Sequence, residues 1–344
     1  MFKKKTGFFA LALAMTATGI AGCGSAKNSS GNNAVSAYTS AGSESFSVVC
    51  TIFPEYDWVK EILGDHADNA ELTYLLDNGV DLHSYQPTAD DMMKISTCDL
   101  FVYVGGESDK WAEDALAEAK NKDMKIINLM DILGDSAKAE ELKEGMQGED
   151  EDEDEHDHDH EHEEDEEEYD EHVWLSVKNA KVFCAEIEKN IEAIDPENTA
   201  DYKANLDSYS AKLSELDNGF QMLVDGSSVK TLVFGDRFPF RYFVDDYGLD
   251  YYAAFIGCSA ETEASFETIA FLSDKVKELD CKTIFTLENS NKDIADTIIS
   301  TSGKSIDIAE LNSLQSVSKD DIADGASYIS LMQKNYDVLA GVLK

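Results

Sequence analysis

Residues 202–223, YKANLDSYSAKLSELDNGFQML, decide the architecture of this chain. Their apolar side chains recur at alternating steps of four and three residues, which is the spacing of one face of an amphipathic helix. A helix of that length extends over about 30 Å or more, enough to connect two lobes and to hold them more stiffly than hinge loops would. A similar pattern occupies residues 177–194, and Asp195 and Pro196 interrupt it before the longer helix begins.

Short apolar runs alternate with helical patterns on both sides of this helical region. Such alternation is typical of parallel sheets with right-handed crossovers. We therefore predict an α/β fold of two lobes, each with a roughly four-stranded parallel sheet flanked by helices, joined by the long interlobe helix. The predicted strands are 46–53, 72–76, 99–104, 125–129, 230–234, 251–255, 282–286 and 304–308, and the predicted helices are 55–63, 89–96, 110–120, 238–247, 263–279, 291–300 and 321–343.

Composition divides the chain into five predicted regions. About 300 residues remain after the N-terminal segments, which suits roughly two domains with sizeable cores. The predicted regions are a lipoprotein signal peptide at 1–22, a flexible tether at 23–45, an N-terminal α/β lobe at 46–175 that includes a disordered acidic loop at 147–171, a helical region at 176–225 and a C-terminal α/β lobe at 226–344.

The N-terminal residues have the layout of an export signal. Three lysines at 3–5 precede a short apolar run that ends in IAGC at 20–23. This ending resembles the bacterial lipobox, in which the cysteine, here Cys23, becomes the lipidated first residue. The following segment is rich in Ser, Gly, Asn and Ala, which suits a tether. We therefore expect an extracytoplasmic protein, anchored by lipid to the outer face of the bacterial cytoplasmic membrane.

The charge and the cysteines restrict the function further. The formal net charge is −42, so nucleic acid and acidic membrane are unfavourable partners and cations are favourable ones. Besides Cys23 there are five cysteines, Cys50, Cys98, Cys184, Cys258 and Cys281, an odd number without CxxC spacing. This argues against a disulfide framework and against a thiolate zinc site, although the sequence is compatible with a single disulfide.

A low-complexity tract at residues 149–171 contains eighteen acidic residues and no Lys or Arg. Such a run cannot bury apolar surface and repels itself, which predicts a disordered loop. Alternating imidazoles and carboxylates are also ligands that zinc and neighbouring divalent ions prefer, so we expect accessory metal capture rather than a merely solvated linker. The histidines of the tract are His156, His158, His160 and His162.

Several motifs, in order along most of residues 46–344, resemble the solute-binding lipoproteins of zinc/manganese ABC transporters, of the metal-binding cluster A-I type. These motifs are TIFPEYDW at 51–58, DLHSYQPTADD at 81–91, DLFVYVGG at 99–106, EHVWLSVKNA at 171–180 and DPENTADYKAN at 195–205. A loop rich in His and acid ahead of the second metal motif is a hallmark of the zinc-specific members. The resemblance implies a receptor that delivers its ion to a membrane permease.

The resemblance implies that His83 and His172 are metal ligands from the first lobe. His83 follows a polar turn after an apolar strand, where loops at strand ends build ligand sites. Without the resemblance it would be an ordinary surface histidine. His172 directly precedes the apolar VWL, and an ordered backbone can hold a ligand in a fixed geometry that a disordered tract cannot.

The second lobe departs from the family pattern, because LVFGDRFPFRYF at 232–243 lacks the usual third ligand. Alignment places Gly235 or Arg237 there, and neither side chain can bind a cation. The adjacent Asp236 is chemically competent, although it could instead form an ion pair or cap a helix. Glu288, after the next-but-one strand, resembles the carboxylate ligand of the family, although it could simply favour a helix N-terminus. Cys258 and Glu263 are less favoured candidate ligands, because their stretch is more simply explained as a turn followed by a helix start.

The predicted function is therefore metal capture for uptake, with zinc as the ion and manganese as the alternative. The predicted site combines His83 and His172 with Asp236 and Glu288; loop imidazoles or water would complete the zinc coordination. The expected partner is an ABC permease, and the receptor itself is expected to be a monomer without catalysis. The alternatives are a metal store or sensor that acts through the acidic tract and, because hydrolase motifs are absent from the sequence, a less favoured zinc hydrolase.

Overall fold

The structure is a computed structural model that describes residues 45–148, 168–259 and 263–344. The predicted leader, the tether with Cys23, and the tract histidines His156, His158, His160 and His162 lie outside the described residues. None of the described helices is long and apolar enough to cross a membrane.

The first four strands form a parallel sheet in the order β2-β1-β3-β4. All four side chains of β3 and four of the five in β1 are buried, as expected for strands with helices on both faces. The strands are β1 (Phe46–Cys50), β2 (Ala70–Tyr74), β3 (Leu100–Tyr103) and β4 (Lys125–Asn128), with the helices α1 (Phe53–Leu63), α2 (Ala89–Thr97), α3 (Trp111–Ala117) and α4 (Leu129–Leu133).

Two helices connect the lobes. α5 (Val177–Ile194) ends at Asp195, whose carboxylate accepts a hydrogen bond from the Tyr202 hydroxyl at 2.7 Å and so fixes the turn into the next helix. α6 (Thr199–Gly226) has 28 residues and is therefore about 42 Å long. The predicted interlobe helix is confirmed, and its buried residues are Tyr202, Tyr209, Leu213, Leu216, Phe220 and Val224.

The last four strands form a second parallel sheet in the order β6-β5-β7-β8, which repeats the order of the first. In both sheets the second strand along the chain therefore lies at an edge. The strands are β5 (Thr231–Phe238), β6 (Asp250–Ile256), β7 (Thr283–Leu287) and β8 (Asp307–Leu311), with the helices α7 (Arg241–Tyr247), α8 (Phe266–Glu278), α9 (Asp293–Ser302), α10 (Lys319–Ala323) and α11 (Tyr328–Val342). The predicted fold class is confirmed.

The chain after β8 returns to the first lobe and ties the two lobes together. The Tyr74 hydroxyl donates to the Val317 carbonyl at 2.8 Å, and Lys319 N donates to the Asp77 carbonyl at 2.7 Å. At the start of α11, Tyr328 N donates to the buried Asp57 carboxylate at 2.8 Å. One continuous cluster of buried apolar side chains includes residues of both lobes, from Phe46 to Leu343. The lobes are therefore packed on each other over a broad contact.

Several predicted element boundaries were wrong, among them the following three. The strand predicted at 230–234 continues to Phe238, so Asp236 lies in β5 and not in a loop after it. The strand predicted at 304–308 begins three residues later, because α9 continues to Ser302 and Gly303 ends it with a φ of +68°. The helix predicted at 321–343 divides at Gly325, whose φ is +97°. The five predicted regions themselves stay a prediction.

Candidate metal centre

Two imidazole rings face each other at the carboxyl edge of the first sheet. His83 lies in a short 3-10 turn (Leu82–Ser84) after β2, and His172 directly precedes another (Val173–Leu175). Their Nε2 atoms are 3.2 Å apart, and the His172 side chain is fully buried. Two nitrogens bound to one zinc at the usual Zn–N distances of about 2.0–2.1 Å, in tetrahedral geometry, would be about 3.3 Å apart. The pair therefore already has the spacing of two ligands to a single ion.

The second nitrogen of each ring is held from behind. Nδ1 of His83 lies 2.7 Å from the Ser108 hydroxyl, and Ser108 N donates to the Glu171 carboxylate at 2.8 Å. Nδ1 of His172 lies 3.0 Å from the Asp170 carboxylate. Partners of this kind fix the tautomer and orientation of metal-binding histidines. In both rings Nε2 is thereby directed towards the other histidine.

An Asp two residues before each histidine repeats the same local turn. His83 N donates to Asp81 Oδ1 at 3.1 Å, and His172 N donates to Asp170 Oδ1 at 2.8 Å. Sequence reasoning did not single out Asp81, Asp170 or Ser108. The Asp-x-His spacing shared by DLH at 81–83 and DEH at 170–172 is the signal that could have identified both acids.

The two rings hold protons very differently. Burial and the neighbouring His172 lower the pKa of His83 to about 3, so this ring is neutral. Burial also acts to lower the pKa of His172, but the carboxylates of Asp170, Glu171 and Glu140 outweigh it and hold that pKa above its ordinary value. A proton on this pair therefore resides on His172, and a cation that binds Nε2 has to displace it.

A thiol completes a group of three candidate ligands in the described part of the chain. One donor atom from each of His83, His172 and Cys258 lies within 4.8 Å of the others. Cys258 follows β6, so it comes from the second lobe. Sequence analysis gave Cys258 and Glu263 as outside candidates only, and Glu263 is exposed and not part of this group.

Asp236 and Glu288 are occupied by other hydrogen bonds. Asp236 accepts from Leu287 N at 3.0 Å and from Arg237 N at 2.9 Å. Glu288 accepts from the backbone N and the hydroxyl of Ser313 at 2.7 and 2.6 Å. The structure does not bring either carboxylate into the group of three found among the described residues. Their role as metal ligands stays a prediction.

Arg237 and Gln315 connect the second lobe to the histidine loop. The Arg237 guanidinium donates to Asp81 Oδ2 at 2.8 Å. The Gln315 amide nitrogen donates to both Asp81 carboxylate oxygens at 2.8 Å. The amide oxygen of the same side chain then lies 2.7 Å from His172 Nε2. Arg237, one of the two residues that align with the missing third ligand, therefore forms a salt bridge beside the site. Sequence reasoning missed Gln315, whose approach depends on the return of the chain after β8.

The segment before the acidic tract and the last residues of the tract lie next to this centre. Residues 138–140 pair with residues 168–170 in a short antiparallel ribbon, with Glu140 N donating to the Glu168 carbonyl at 2.8 Å and Asp170 N donating to the Lys138 carbonyl at 2.9 Å. Further along, Gln147 N donates to the Ala254 carbonyl of β6 at 2.9 Å. Residue 168 is four positions from His172, so the tract rejoins the described chain beside the two imidazoles.

Comparison with known proteins identifies the family of the chain. Residues 48–342 match the family described as zinc-uptake complex component A, periplasmic (ZnuA). The chain belongs to this family. The high-affinity zinc uptake system protein ZnuA of Bacillus subtilis is 30% identical over 339 residues, which are 98% of each chain. The zinc-binding lipoprotein AdcA of Streptococcus pneumoniae is 30% identical over 85% of this chain, which spans 54% of that longer protein.

Solved structures of the ZnuA family share the fold. The Zn(II)-bound ZnuA-like domain of S. pneumoniae AdcA superposes with a TM-score of 0.66 at 28% identity and covers 87% of this chain and 99% of that domain. The metal-dependent lipoprotein YcdH of B. subtilis gives a TM-score of 0.68 at 26% identity, with coverage of 87% and 99%. The predicted resemblance to zinc-binding solute receptors is therefore confirmed, as is zinc as the ion of the family.

Proposed function

We propose that this chain is an extracytoplasmic receptor that binds zinc in the cleft between its lobes and delivers it to an ABC permease. The observation that carries the proposal is the pair of Nε2 atoms of His83 and His172, which face each other at 3.2 Å while their Nδ1 atoms are held by Ser108 and Asp170. Family membership and the zinc-uptake names of the relatives support the same function.

The proposed cleft lies where the carboxyl ends of both sheets meet. In open parallel sheets, ligands bind outside the carboxyl ends of the strands. His83 and His172 are the proposed ligands from the first lobe, and Asp236 and Glu288 are the proposed carboxylate ligands from the second. Two imidazoles with two carboxylates would also accept manganese, because oxygen donors make a harder site.

Three further parts of the proposal concern transport. The acidic tract raises the local concentration of cations beside the site, because its charge attracts them and residue 168, near its end, is four positions from His172. Cys23 carries the lipid that retains the receptor at the membrane, where it acts as a monomer. ATP hydrolysis belongs to a separate subunit, so the receptor itself catalyses no reaction.

Calorimetric zinc and manganese titrations test this function. The protein without the lipidated Cys23 is compared with a variant that also lacks residues 149–167. We expect one tight zinc site in both and additional weak binding in the longer form. Tight manganese binding with weak zinc binding would make manganese the preferred ion. Loss of all metal binding on deletion of the tract would favour a metal store.

The His83→Ala variant tests the ligand assignment within the same titration. Loss of one of two imidazoles should abolish the tight site while the weak binding persists. His66→Ala is the matched control, because His66 is paired with Asp201 at 2.9 Å and is not part of the metal group. An unchanged tight site in His83→Ala would contradict the assignment of this residue.

A further inference from the structure

We infer that Cys258 binds the same zinc ion as a thiolate, so that the centre is a His-His-Cys site that joins the two lobes. The inference rests on the proposed function and places a second-lobe thiolate beside the two imidazoles. It departs from the expectation drawn from cysteine spacing, because that expectation concerned CxxC pairs and a single thiol beside two imidazoles has no sequence signature.

The first support is the geometry of the three donor atoms. They lie within 4.8 Å of one another, with the two nitrogens already at 3.2 Å. In a tetrahedral site with Zn–S near 2.3 Å, a sulfur and a nitrogen are about 3.6 Å apart. A rotation of the Cys258 side chain or a small loop adjustment therefore suffices to bring the sulfur into the coordination sphere.

The second support is the close packing of the Cys258 loop against His172. A Cβ atom on Gly257 would lie 2.9 Å from Cε1 and 3.0 Å from Nδ1 of the His172 ring. Only glycine allows the backbone to pass this close to the imidazole. Cys258 N also donates to the Glu140 carboxylate at 3.3 Å. The loop that carries the thiol is thus positioned by contacts to the histidine side of the site.

The third support is the equivalence of the two sheets. His83 follows β2, the second strand and an edge of the first sheet. Cys258 follows β6, which has the same position in the second sheet. The two lobes therefore each present one donor from the loop after the corresponding strand. This relation is independent of the acidic tract and of the predicted carboxylates.

Three charged groups of the second lobe near the site have other partners. Asp236 accepts from the β7 backbone, Glu288 from Ser313, and Arg237 is paired with Asp81. Cys258 is a free thiol and is partly buried. Among the described His, Cys, Asp and Glu side chains of the second lobe, it is the one grouped with the two imidazoles.

The coordination step is a metal-for-proton exchange without any change of oxidation state. The S–H bond of Cys258 breaks, the thiolate lone pair forms the bond to zinc, and the proton passes to the buffer. Burial and the carboxylates of Glu140, Asp170 and Glu171 raise the pKa of this thiol, so the thiolate forms together with the cation. A thiolate also favours zinc over manganese, because manganese prefers oxygen ligands.

Cobalt(II) tests the inference directly, because cobalt bound by a thiolate shows an intense near-ultraviolet charge-transfer band. The variant without residues 149–167 is loaded with one equivalent of cobalt, and the same is done with Cys258→Ser in that background. We expect the band in the first protein and its loss in Cys258→Ser. Zinc affinity, measured by competition with a chelator, should fall by roughly ten- to a hundredfold or more. Cys281→Ser, in a partly exposed position of the same lobe, is the control and should change neither quantity.

A measurement on the unsubstituted protein covers the case in which Cys258→Ser fails to fold. Zinc should protect Cys258 from slow alkylation, identified by peptide mass, and should leave Cys281 unprotected. Tight zinc binding without a thiolate band and without protection of Cys258 would overturn the inference and leave the receptor function intact. An absence of tight zinc binding in the starting protein would instead contradict the proposed function itself.

Discussion

At the scale of single residues, the two histidines differ because their carboxylate neighbours differ. Asp170 lies 3.0 Å from Nδ1 of His172, whereas Nδ1 of His83 contacts the Ser108 hydroxyl at 2.7 Å and lies 3.9 Å from the nearest Glu171 oxygen. The direct contact raises the pKa of His172, while burial and the second ring lower that of His83. His172 is therefore the group whose protonation competes with zinc as the pH falls.

Zinc affinity should decrease as the pH falls through the raised pKa of His172. A free imidazole titrates near about 6.5, so the decrease should begin at a higher pH than for an unperturbed histidine. Asp170→Asn should move the decrease to lower pH and, because the ring loses its orienting partner, weaken binding by roughly ten- to a hundredfold at neutral pH. Chelator competition from about pH 5 to about pH 8 measures both effects.

Asp201→Asn is the control for that experiment, since Asp201 pairs with His66 in an exposed position. It should leave the zinc affinity and its pH profile unchanged. A profile of Asp170→Asn that coincides with that of the unsubstituted protein would show that His172 is not the titrating ligand.

At the scale of elements, helix α1 begins on a buried carboxylate. Glu55 Oε2 accepts from Thr51 N, Thr51 Oγ1 and Ile52 N at 2.9, 3.0 and 3.2 Å, which satisfies donors before the first turn. Burial and the nearby Asp109 raise the pKa of Glu55 to about 8. The helix start therefore depends on a group that prefers to be protonated in the folded protein.

Glu55→Gln should make the stability of the metal-free protein less sensitive to a rise in pH between about 4.5 and about 8. Because the folded pKa is raised, the unfolded chain loses its proton first, and stability decreases as the pH rises from about 4.5 to about 8. Glutamine keeps an acceptor oxygen and has no proton to lose. Thermal unfolding across this interval should show a smaller decrease in Tm for Glu55→Gln than for the unsubstituted protein. Glu61→Gln, a partly exposed position of the same helix, should retain the original pH dependence.

The sequence predicted elements well wherever a local pattern decides them. The short apolar runs identified the eight strands of the described residues, and the four-and-three spacing identified α6, because these patterns reflect which face is buried. The extension of β5 was missed because it depends on tertiary packing. A Cβ on Gly235 would lie 2.7 Å from Cα of Ala295 in α9, so glycine there allows the close approach of a distant helix.

The same distinction applies to the site. His83 and His172 could be found because motifs surround them in the sequence. Cys258 could not be ranked, because its approach depends on the contact of Gly257 with His172 and on the pairing of residue 147 with β6. Long-range contacts of this kind leave no periodic signal along the chain.

At the scale of the whole molecule, the lobes should move little when zinc binds. They share one apolar cluster, α6 connects them, and Trp174 Nε1 donates across to the Ser313 carbonyl at 2.9 Å. We expect the radius of gyration of the metal-free and zinc-loaded forms to agree within about 1 Å by small-angle X-ray scattering. The variant without residues 149–167 is the appropriate sample, since it removes the weak binding of zinc to the tract.

The double variant His83→Ala, His172→Ala provides the reference for non-specific effects of zinc in that experiment. A contraction that occurs only in the protein with both histidines would show hinge closure on binding. Such a result would contradict the rigid connection between the lobes.

The ribbon formed by residues 138–140 and 168–170 also determines how a change in tract length affects the free energy of folding. For a segment of the disordered kind that the sequence predicts between two fixed ends, doubling the number of residues adds only about 0.6 kcal/mol of closure entropy. Insertions and deletions in the tract are therefore nearly neutral for folding, whereas changes in the ribbon disturb Asp170 and the histidine that it orients. The length and the net charge of this segment can accordingly change during evolution while the metal ligands stay the same.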